Sequence, residues 1–350
     1  MQSKWVVSVV LAAAVTLSSG CGLIEEDSTL LSFLGVVGDR AYFEYYNEYS
    51  GWVVLPSSIW EVDLTSGDTK KIAATGVRYD TQISDDFYVA ERPTDDDKGS
   101  RIVAKRISTG EKTVVLERDV QLGGRYDRVF VLVGNRVVAL TDDGLLVYDL
   151  AANQVENEID VAGSLVELLA ASDEWALVTL NFPYSADELL VNLSTGDVLT
   201  VPAMANGQIG LFFDAAFADD YMFTASLPSD EAQTDTRAVQ ALHIPTLTWS
   251  VLADYGESSS VAFAPATLVV TGADDTHVLA QHSVPFRQAR LDLISRTSGE
   301  RQEIDQSTGF NVGPWCAHLC EGRVYWIDDG LVVHDLASGE RATTPLNVPN

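Results

Sequence analysis

Asp63-Leu64-Thr65-Ser66-Gly67-Asp68 is the stretch of sequence that decides the fold, because it ends an apolar segment and returns in altered form along the whole chain. An apolar strand that runs into such a polar turn predicts a tight hairpin, in which Gly or Asn supplies a positive φ angle. Seven copies occur, and the Gly or its equivalent stands at positions 67, 110, 153, 196, 247, 299 and 339.

The spacing of these copies is that of a β-propeller. Successive positions are 43, 43, 43, 51, 52 and 40 residues apart, which is the length of one blade. Each unit offers four short strands, A to D, rich in Val, Leu, Ile and aromatic residues. One such sheet cannot bury both of its faces alone, so seven are expected to stack around an axis. The sequence therefore predicts an all-β fold, a seven-bladed β-propeller of four-stranded antiparallel blades over residues 30–350.

A second landmark precedes each copy, a polar turn followed by an apolar or aromatic strand. We interpret it as the turn between strands A and B. In chain order it falls at 38–39, 85–86, 134–135, 173–174, 219–220, 265–266 and 321–322.

The N-terminus resembles a bacterial lipoprotein signal. Lys4 precedes an apolar run over residues 5–17, and Ser18-Ser19-Gly20 leads to Cys21. The resemblance implies that residues 1–20 are a signal peptide, that Cys21 is lipidated, and that residues 21–29 are a tether. It also implies an extracytoplasmic protein on the periplasmic side of the outer membrane or at the cell surface. The alternative is a cleaved secretory signal with an incidental cysteine, because Ser18 stands where Leu is usual.

Two further cysteines, Cys316 and Cys320, lie close together in the last repeat. An even number of cysteines in an oxidising compartment predicts a disulfide between them. A fully extended segment of this length spans about 13 Å, so the bridge requires the chain to turn. Free thiols are one alternative. A metal site that includes His318 is another, since the three side chains would share one face of a straight strand.

The charge of the chain restricts its partners. It has 51 acidic and 22 basic residues and a formal net charge of −29, which argues against nucleic acid and anionic lipid surfaces. Acidic groups are predicted in the connections between strands B and C, at 95–97, 142–143, 230–231, 274–275 and 328–329. Such a rim suits a cationic partner or Ca²⁺, although no EF-hand spacing occurs. No other cofactor is predicted.

The same connections carry the longest predicted loops, which are the usual place for binding on a rigid ring. The loop at 47–58 contains Tyr49 and Trp52, and another polar loop covers 226–236. A third, at 272–288, supplies the remaining candidate binding residues: His277, His282, Phe286 and Arg287. The alternative is that the aromatic side chains pack locally on neighbouring blades.

No catalytic motif is present: the chain lacks Gly-x-Ser-x-Gly, His-Glu-x-x-His, a P-loop and Gly-x-Gly-x-x-Gly. The Asp-Leu-x-Ser-Gly turn resembles the repeats of bacterial periplasmic propellers, including quinoprotein-like and WD40-like rings and outer-membrane assembly lipoproteins. Quinoprotein-like repeats usually place a docking Trp shortly after the Gly. Here Trp249, in the fifth copy, comes near that position, and the other six copies have no such tryptophan. The missing docking residues argue against pyrroloquinoline quinone as a cofactor.

Two functions follow from the sequence. The first is a monomeric, membrane-tethered, non-catalytic propeller that binds a protein or peptide partner through its B–C loops. The second is an extracytoplasmic enzyme, a hydrolase, lactonase, or quinone- or metal-dependent dehydrogenase, with its site at the ring axis.

Overall fold

The computed structural model describes residues 24–26, 29–47, 49–50, 53–54, 57–74, 81–84, 86–94, 99–118, 128–163, 165–180, 187–204, 208–209, 215–227, 236–257, 267–284, 288–307, 317–327 and 330–346. The structural statements below concern these residues.

The described residues form seven antiparallel blades in a ring, each with its four main strands in the spatial order A-B-C-D. Strands A are Thr29–Val37, Thr81–Ser84, Phe130–Val133, Leu165–Ala171, Ala216–Ala218, Thr267–Ala273 and His318–Cys320. Strands B are Arg40–Asn47, Phe87–Pro93, Arg136–Leu140, Trp175–Leu180, Tyr221–Leu227, His277–Val284 and Arg323–Ile327. Strands C are Ser57–Asp63, Ser100–Arg106, Gly144–Asp149, Asp187–Asn192, Thr236–His243, Gln288–Ser295 and Leu331–Asp335. Strands D are Thr69–Ala74, Lys112–Arg118, Gln154–Asp160, Val198–Thr200, Thr248–Glu257, Arg301–Ser307 and Arg341–Thr344. The prediction of a seven-bladed propeller is confirmed.

Short additional elements extend two of the sheets. Ile24–Glu26 pairs with strand A of blade one, and Gln208–Ile209 pairs with strand B of blade five. A two-stranded hairpin, Tyr49–Ser50 with Val53–Val54, lies between strands B and C of blade one. The one helix in the described part of the chain is the 3₁₀ turn Ile244–Thr246. No described helix is long and apolar enough to cross a membrane.

The repeated turn joins strands C and D in every blade, and its chemistry explains the repeat. All seven residues at the predicted Gly position have a positive φ, from 50° at Leu247 to 76° at Gly67. The Gly67 N–H donates to the Asp63 carbonyl at 2.8 Å. The Asp63 carboxylate accepts from the N–H groups of Thr65 and Ser66 at 2.9 and 2.8 Å. The Asp63 side chain therefore stabilises the turn, and Gly67 supplies its positive φ angle.

A second bond ties this turn to the A–B turn of its own blade. In all seven blades, the residue directly after strand C donates its backbone N–H to a carbonyl of the A–B turn, at 2.6 to 3.0 Å. In blade one the donor is Leu64 and the acceptor is Asp39. The two sequence landmarks are thus paired in space, because each turn satisfies a backbone group of the other. We call this end of the ring the turn face and the opposite end, with the B–C and D–A connections, the B–C face.

Apolar side chains between neighbouring blades form the core. Between blades three and four, for example, Val138, Val147, Leu168, Val178 and Leu189 are buried together. Strands A of successive blades contact each other around the axis. Trp249 also links two blades, because its indole N–H donates to the Pro202 carbonyl of blade four at 2.7 Å.

The ring closes by packing between the first and last blades, each of which is built from its own consecutive strands. Phe33 and Phe43 of blade one are buried with Tyr325, Ile327 and Leu331 of blade seven. No described strand is exchanged between the first and the last blade.

Blade six corrects one part of the sequence interpretation. The polar turn placed at 265–266 precedes strand A, not strand B, and the A–B turn is at 274–276. Consequently the predicted loop at 272–288 is mostly strand B, from His277 to Val284. Its polar residues concealed the strand, although Val278 and Ala280 alternate inward to the core shared with blade five.

Candidate functional site

The hairpin of blade one projects from the B–C face. Tyr49 pairs with Val54 and Ser50 with Val53. Trp52 lies outside the described residues, and only the backbone of Tyr49 is described. The backbone of Tyr49 lies in the predicted B–C connection, and the role of both candidates in binding stays a prediction.

The candidates of blade six do not share one loop, and that prediction is wrong. His277 begins strand B at the turn face, where its N–H donates to the Asp274 carboxylate at 2.7 Å. His282 lies five residues further along the strand, close to the B–C face. An extended strand advances about 3.3 Å per residue, so the two histidines are about 16 Å apart. Phe286 and Arg287 follow in the B–C connection, outside the described residues.

His282 belongs to a polar cluster in the interface between blades five and six. Its ring is 5.3 Å from the ring of Tyr255 in strand D of blade five. The guanidinium groups of Arg301 and Arg290 lie over the same tyrosine ring, at 4.4 and 5.6 Å. The Arg290 Nε donates to the Asp292 carboxylate at 2.9 Å. We call these five residues the blade five–six cluster.

Burial and the neighbouring charges shift the pKa values of His282 and Tyr255 in this cluster. Burial and then the charge of Arg290 lower the pKa of His282 to about 4, so its imidazole is neutral at pH 7. Arg237, which is 3% exposed, contributes to the same effect. Burial and the Asp292 carboxylate raise the pKa of Tyr255, which keeps its hydroxyl protonated. The cluster therefore combines a buried anion, several cations and two neutral hydrogen-bonding groups.

Asp292 occupies a position that is apolar in most other blades. It is 2% exposed and stands three residues before the end of strand C. The equivalent residues of the other six blades are Trp60, Val103, Leu146, Leu189, Gln240 and Val332. A buried carboxylate is expensive unless it is paired, and departures of this kind concentrate at functional sites. The cluster is the strongest candidate site among the described residues, and its members His282 and Arg290 lie towards the B–C face.

The acidic groups are distributed over both faces. Asp142 and Asp143 lie between strands B and C of blade three, as predicted, and the groups at 95–97, 230–231 and 328–329 are outside the described residues. Asp274 and Asp275 instead form part of the A–B turn of blade six, so their prediction is wrong. Many other carboxylates, such as Asp39, are also at the turn face.

The cysteine predictions remain open. Cys320 is half-buried at the end of strand A of blade seven, and burial raises the pKa of its thiol. It packs in the core between blades seven and one, and the His318 ring is 5.0 Å from the ring of Phe33 at the same interface. Cys316 and Cys21 lie outside the described residues, so the disulfide and the lipid stay predictions. Within the described ranges, no group of three or more His, Cys, Asp or Glu is arranged to hold a metal.

Sequence reasoning missed four members of the cluster: Tyr255, Arg290, Asp292 and Arg301. The available signal was the register of the repeat, since aligning the seven C strands on their turns exposes the aspartate at a core position. The pairing of Tyr255 with blade six had no such signal, because it depends on how two blades pack.

Comparison with known proteins supports the fold. No protein-family model matches the chain, and no curated protein matches it. Among solved structures, it is similar to the β-propeller domain of the Trilobed protease from Pyrococcus furiosus, described as having an open velcro topology. The TM-score is 0.60 at 12% identity, covering 93% of this chain and 98% of that one.

Two further structures illustrate the range of similar propellers. The RRP9 WD40 repeats give a TM-score of 0.54 at 11% identity, covering 89% of this chain and 91% of that one. The acylaminoacyl peptidase of Pyrococcus horikoshii gives 0.57 at 13% identity, covering 90% of this chain and 52% of that one. This chain thus spans about half of the peptidase. At such identities the likeness shows a shared propeller fold.

Proposed function

We propose that this propeller binds a protein or peptide partner through its B–C face and is held outside the cytoplasm by a lipid on Cys21. The observation that carries the proposal is the blade five–six cluster, where the buried Asp292 stands at a position that is apolar in most other blades and its partner Arg290 lies towards that face. The hairpin that carries Tyr49 adds a second contact element to the same face, on a rigid ring.

The path of the N-terminal segment is compatible with a tether. Ile24–Glu26 runs antiparallel to strand A of blade one, and Ile24 pairs with Leu31. Ile24 follows Cys21 by three residues, so a lipid on that cysteine would hold the ring close to a membrane surface.

Site-specific photo-crosslinking tests the binding face. A photoreactive amino acid replaces Tyr49 in one variant and Val54 in a second, both in the B–C hairpin. A third variant carries it at Ser66, in an exposed C–D turn of the same blade. We expect both hairpin positions to give one adduct of the same mass and Ser66 to give none. Adducts of equal yield from all three positions, or none from the hairpin, would contradict the proposal.

Fractionation tests the anchor independently of the binding face. Wild-type chain should incorporate labelled palmitate and sediment with membranes, whereas Cys21→Ala should lose the label and become soluble. Cys320→Ala is the matched control and should behave as wild type. If the wild-type protein incorporates no label, the lipid on Cys21 is refuted. The proposed binding face does not depend on this result.

The enzymatic alternative stays a prediction. Described residues of strands A that are partly exposed are mostly apolar, as in Val131 and Leu132 of blade three. Gln82 of blade two bonds to blade three, donating to the Phe130 carbonyl and accepting from the Leu132 N–H. These contacts join neighbouring blades, which suits a rigid scaffold.

A further inference from the structure

The interface between blades four and five contains a cavity at the turn face. Its volume is about 310 Å³, at the lower end of the range of small-molecule sites. Blade four contributes Glu174, Trp175 and Leu199 to its lining, and blade five contributes Asp220 and most of its C–D turn. The walls are therefore largely apolar, and both charged residues in the lining are acidic.

The apolar wall comes from the one C–D turn that departs from the repeat. Ile244, Pro245 and Leu247 line the cavity, and Leu247 stands at the position that is Gly in five blades and Asn in one. Ile244 also joins the buried core between the two blades. At positions 245 and 247, blade five thus has large apolar side chains where the other copies have small or polar residues.

Trp175 begins strand B, and aromatic residues in the same place in two other blades each contact a cation. Phe87 and Tyr221 begin strands B of blades two and five, and all three aromatic residues pack against the next blade. The Arg106 guanidinium lies 4.7 Å from the centre of the Phe87 ring, and the Arg296 guanidinium lies 5.7 Å from that of Tyr221. An aromatic face attracts a cation at these distances.

Each of these arginines also contacts a carboxylate of an A–B turn. The Arg106 Nη1 lies 4.0 Å from an Asp86 carboxylate oxygen, and the Arg296 Nη1 donates to the Asp219 carboxylate at 2.9 Å. A cation between an aromatic ring and a turn carboxylate therefore occurs twice at the turn face.

Blade four has the aromatic ring and the turn carboxylate without the cation. The residue that pairs with the aromatic residue across strands B and C is Arg106 in blade two and Asn192 in blade four. The Asn192 amide donates to the Glu174 carboxylate at 3.4 Å. In the part of the chain that the structure describes, no Lys or Arg lies over Trp175 or forms an ion pair with Glu174 or Asp220.

We propose that this cavity binds a small organic cation, an ammonium group carried on a short apolar body. The ammonium group contacts the Trp175 ring and the carboxylates of Glu174 and Asp220. The apolar body contacts Leu199 and Leu247. A ligand of this kind matches both parts of the lining, because the ring and the carboxylates attract its charge and the remaining walls bury its carbon atoms.

The charge of the whole chain favours such a ligand. A formal net charge of −29 raises the local concentration of cations near the surface. The cavity is at the turn face, at the opposite end of the ring from the proposed partner-binding face. The two proposals therefore succeed or fail independently.

Calorimetric titration of the full chain tests the proposal with three probes. These are choline, butylammonium and the uncharged isostere of choline in which a tert-butyl group replaces the trimethylammonium group. We expect at least one of the two cations to bind with a dissociation constant of about 1 mM or tighter, and the isostere to bind at least about tenfold more weakly. Failure of both cations to bind at millimolar concentrations, or equal binding of choline and its isostere, would refute the proposal.

Two variants and a matched control locate the binding. Trp175→Leu keeps an apolar wall and removes the aromatic ring, so it should weaken binding about tenfold. Asp220→Asn should weaken it about threefold, because an exposed ion pair contributes little. Asp39→Asn removes the same charge from the equivalent A–B turn of blade one and should leave binding unchanged. Wild-type binding by Trp175→Leu, or equal effects of Asp220→Asn and Asp39→Asn, would overturn the proposal.

A third variant supplies the cation from the chain itself. Asn192→Arg gives blade four the residue that blade two has, and its guanidinium should occupy the place of the ammonium group and abolish binding. Asn192 also accepts hydrogen bonds from the N–H groups of its turn, so the urea midpoint of the variant is measured as well. Wild-type affinity in the folded variant would contradict the proposed position of the ligand. If the variant does not fold, Trp175→Leu and Asp220→Asn decide the result.

Discussion

Two glycines of the repeated turn should respond very differently to the same substitution, Gly→Ala. Gly299 and Gly339 close the C–D turns of blades six and seven with φ angles of 69° and 72°. A Cβ on Gly339 would have no neighbour within 4 Å, whereas a Cβ on Gly299 would lie 2.3 Å from the Leu252 carbonyl oxygen. The backbone strain is common to both variants, and the collision is specific to one.

The magnitudes follow from these two contributions. A left-handed conformation costs an L-residue about 1–2 kcal/mol, and the lower entropy of the unfolded alanine chain offsets this by about 0.4–1 kcal/mol. Gly339→Ala should therefore destabilise the protein by about 1 kcal/mol. Gly299→Ala must also displace a strand of blade five, and overpacking of this kind typically costs about 1–3 kcal/mol. Its total should be about 2–4 kcal/mol.

Urea unfolding, followed by tryptophan fluorescence at pH 7, measures both variants against wild type. Gly67→Ala is a further control, because its Cβ would meet only the Thr344 methyl at 3.8 Å. It should resemble Gly339→Ala. If Gly299→Ala were no less stable than the two controls, the packing of the blade six turn on blade five would be wrong.

Three further predictions use the same measurement. Hydrogen bonds to the Asp335 carboxylate, the Ser338 N–H first among them, lower the pKa of Asp335 to about 2. The ionised carboxylate therefore stabilises the fold above about pH 4, and this stabilisation is lost as pH falls towards 2. In blade four Asn192 accepts the equivalent backbone hydrogen bonds, so Asp335→Asn should keep the turn and remove this dependence of stability on pH. The same dependence on pH in the variant as in wild type would contradict the prediction. His282 has a lowered pKa of about 4 in the folded protein, so stability should fall as pH drops from about 6.5 to 4. In His282→Gln this loss should be smaller, and an imidazole that titrates near 6.5 by NMR would refute the assignment. Trp249→Phe removes the bond to Pro202 and should cost about 1 kcal/mol, and an unchanged midpoint would exclude that link.

Much of the fold was predictable because each repeat carries its own local chemistry. Asp63 and Gly67 form a turn through contacts within five residues, so the sequence alone identifies it. The error in blade six arose where that information is weak. His277 and His282 lie on a strand that also contains Gln281 and Ser283, and only pairing with strand C at 288–295 shows its extent.

The candidate sites were predictable only in part. Tyr49 and Trp52 were proposed because a long connection is visible in a sequence, and their role in binding stays a prediction. The blade five–six cluster was not predictable, since Tyr255 and Arg301 belong to different blades about 45 positions apart.

The sequence by itself determined the number of blades, the order of their strands and the turns that close them, because these depend on backbone conformation and on period. Only the tertiary structure decided which charged residues are buried together and at which glycines an added Cβ would meet a carbonyl of another strand. Those properties depend on how one blade faces the next, and no single repeat contains that information.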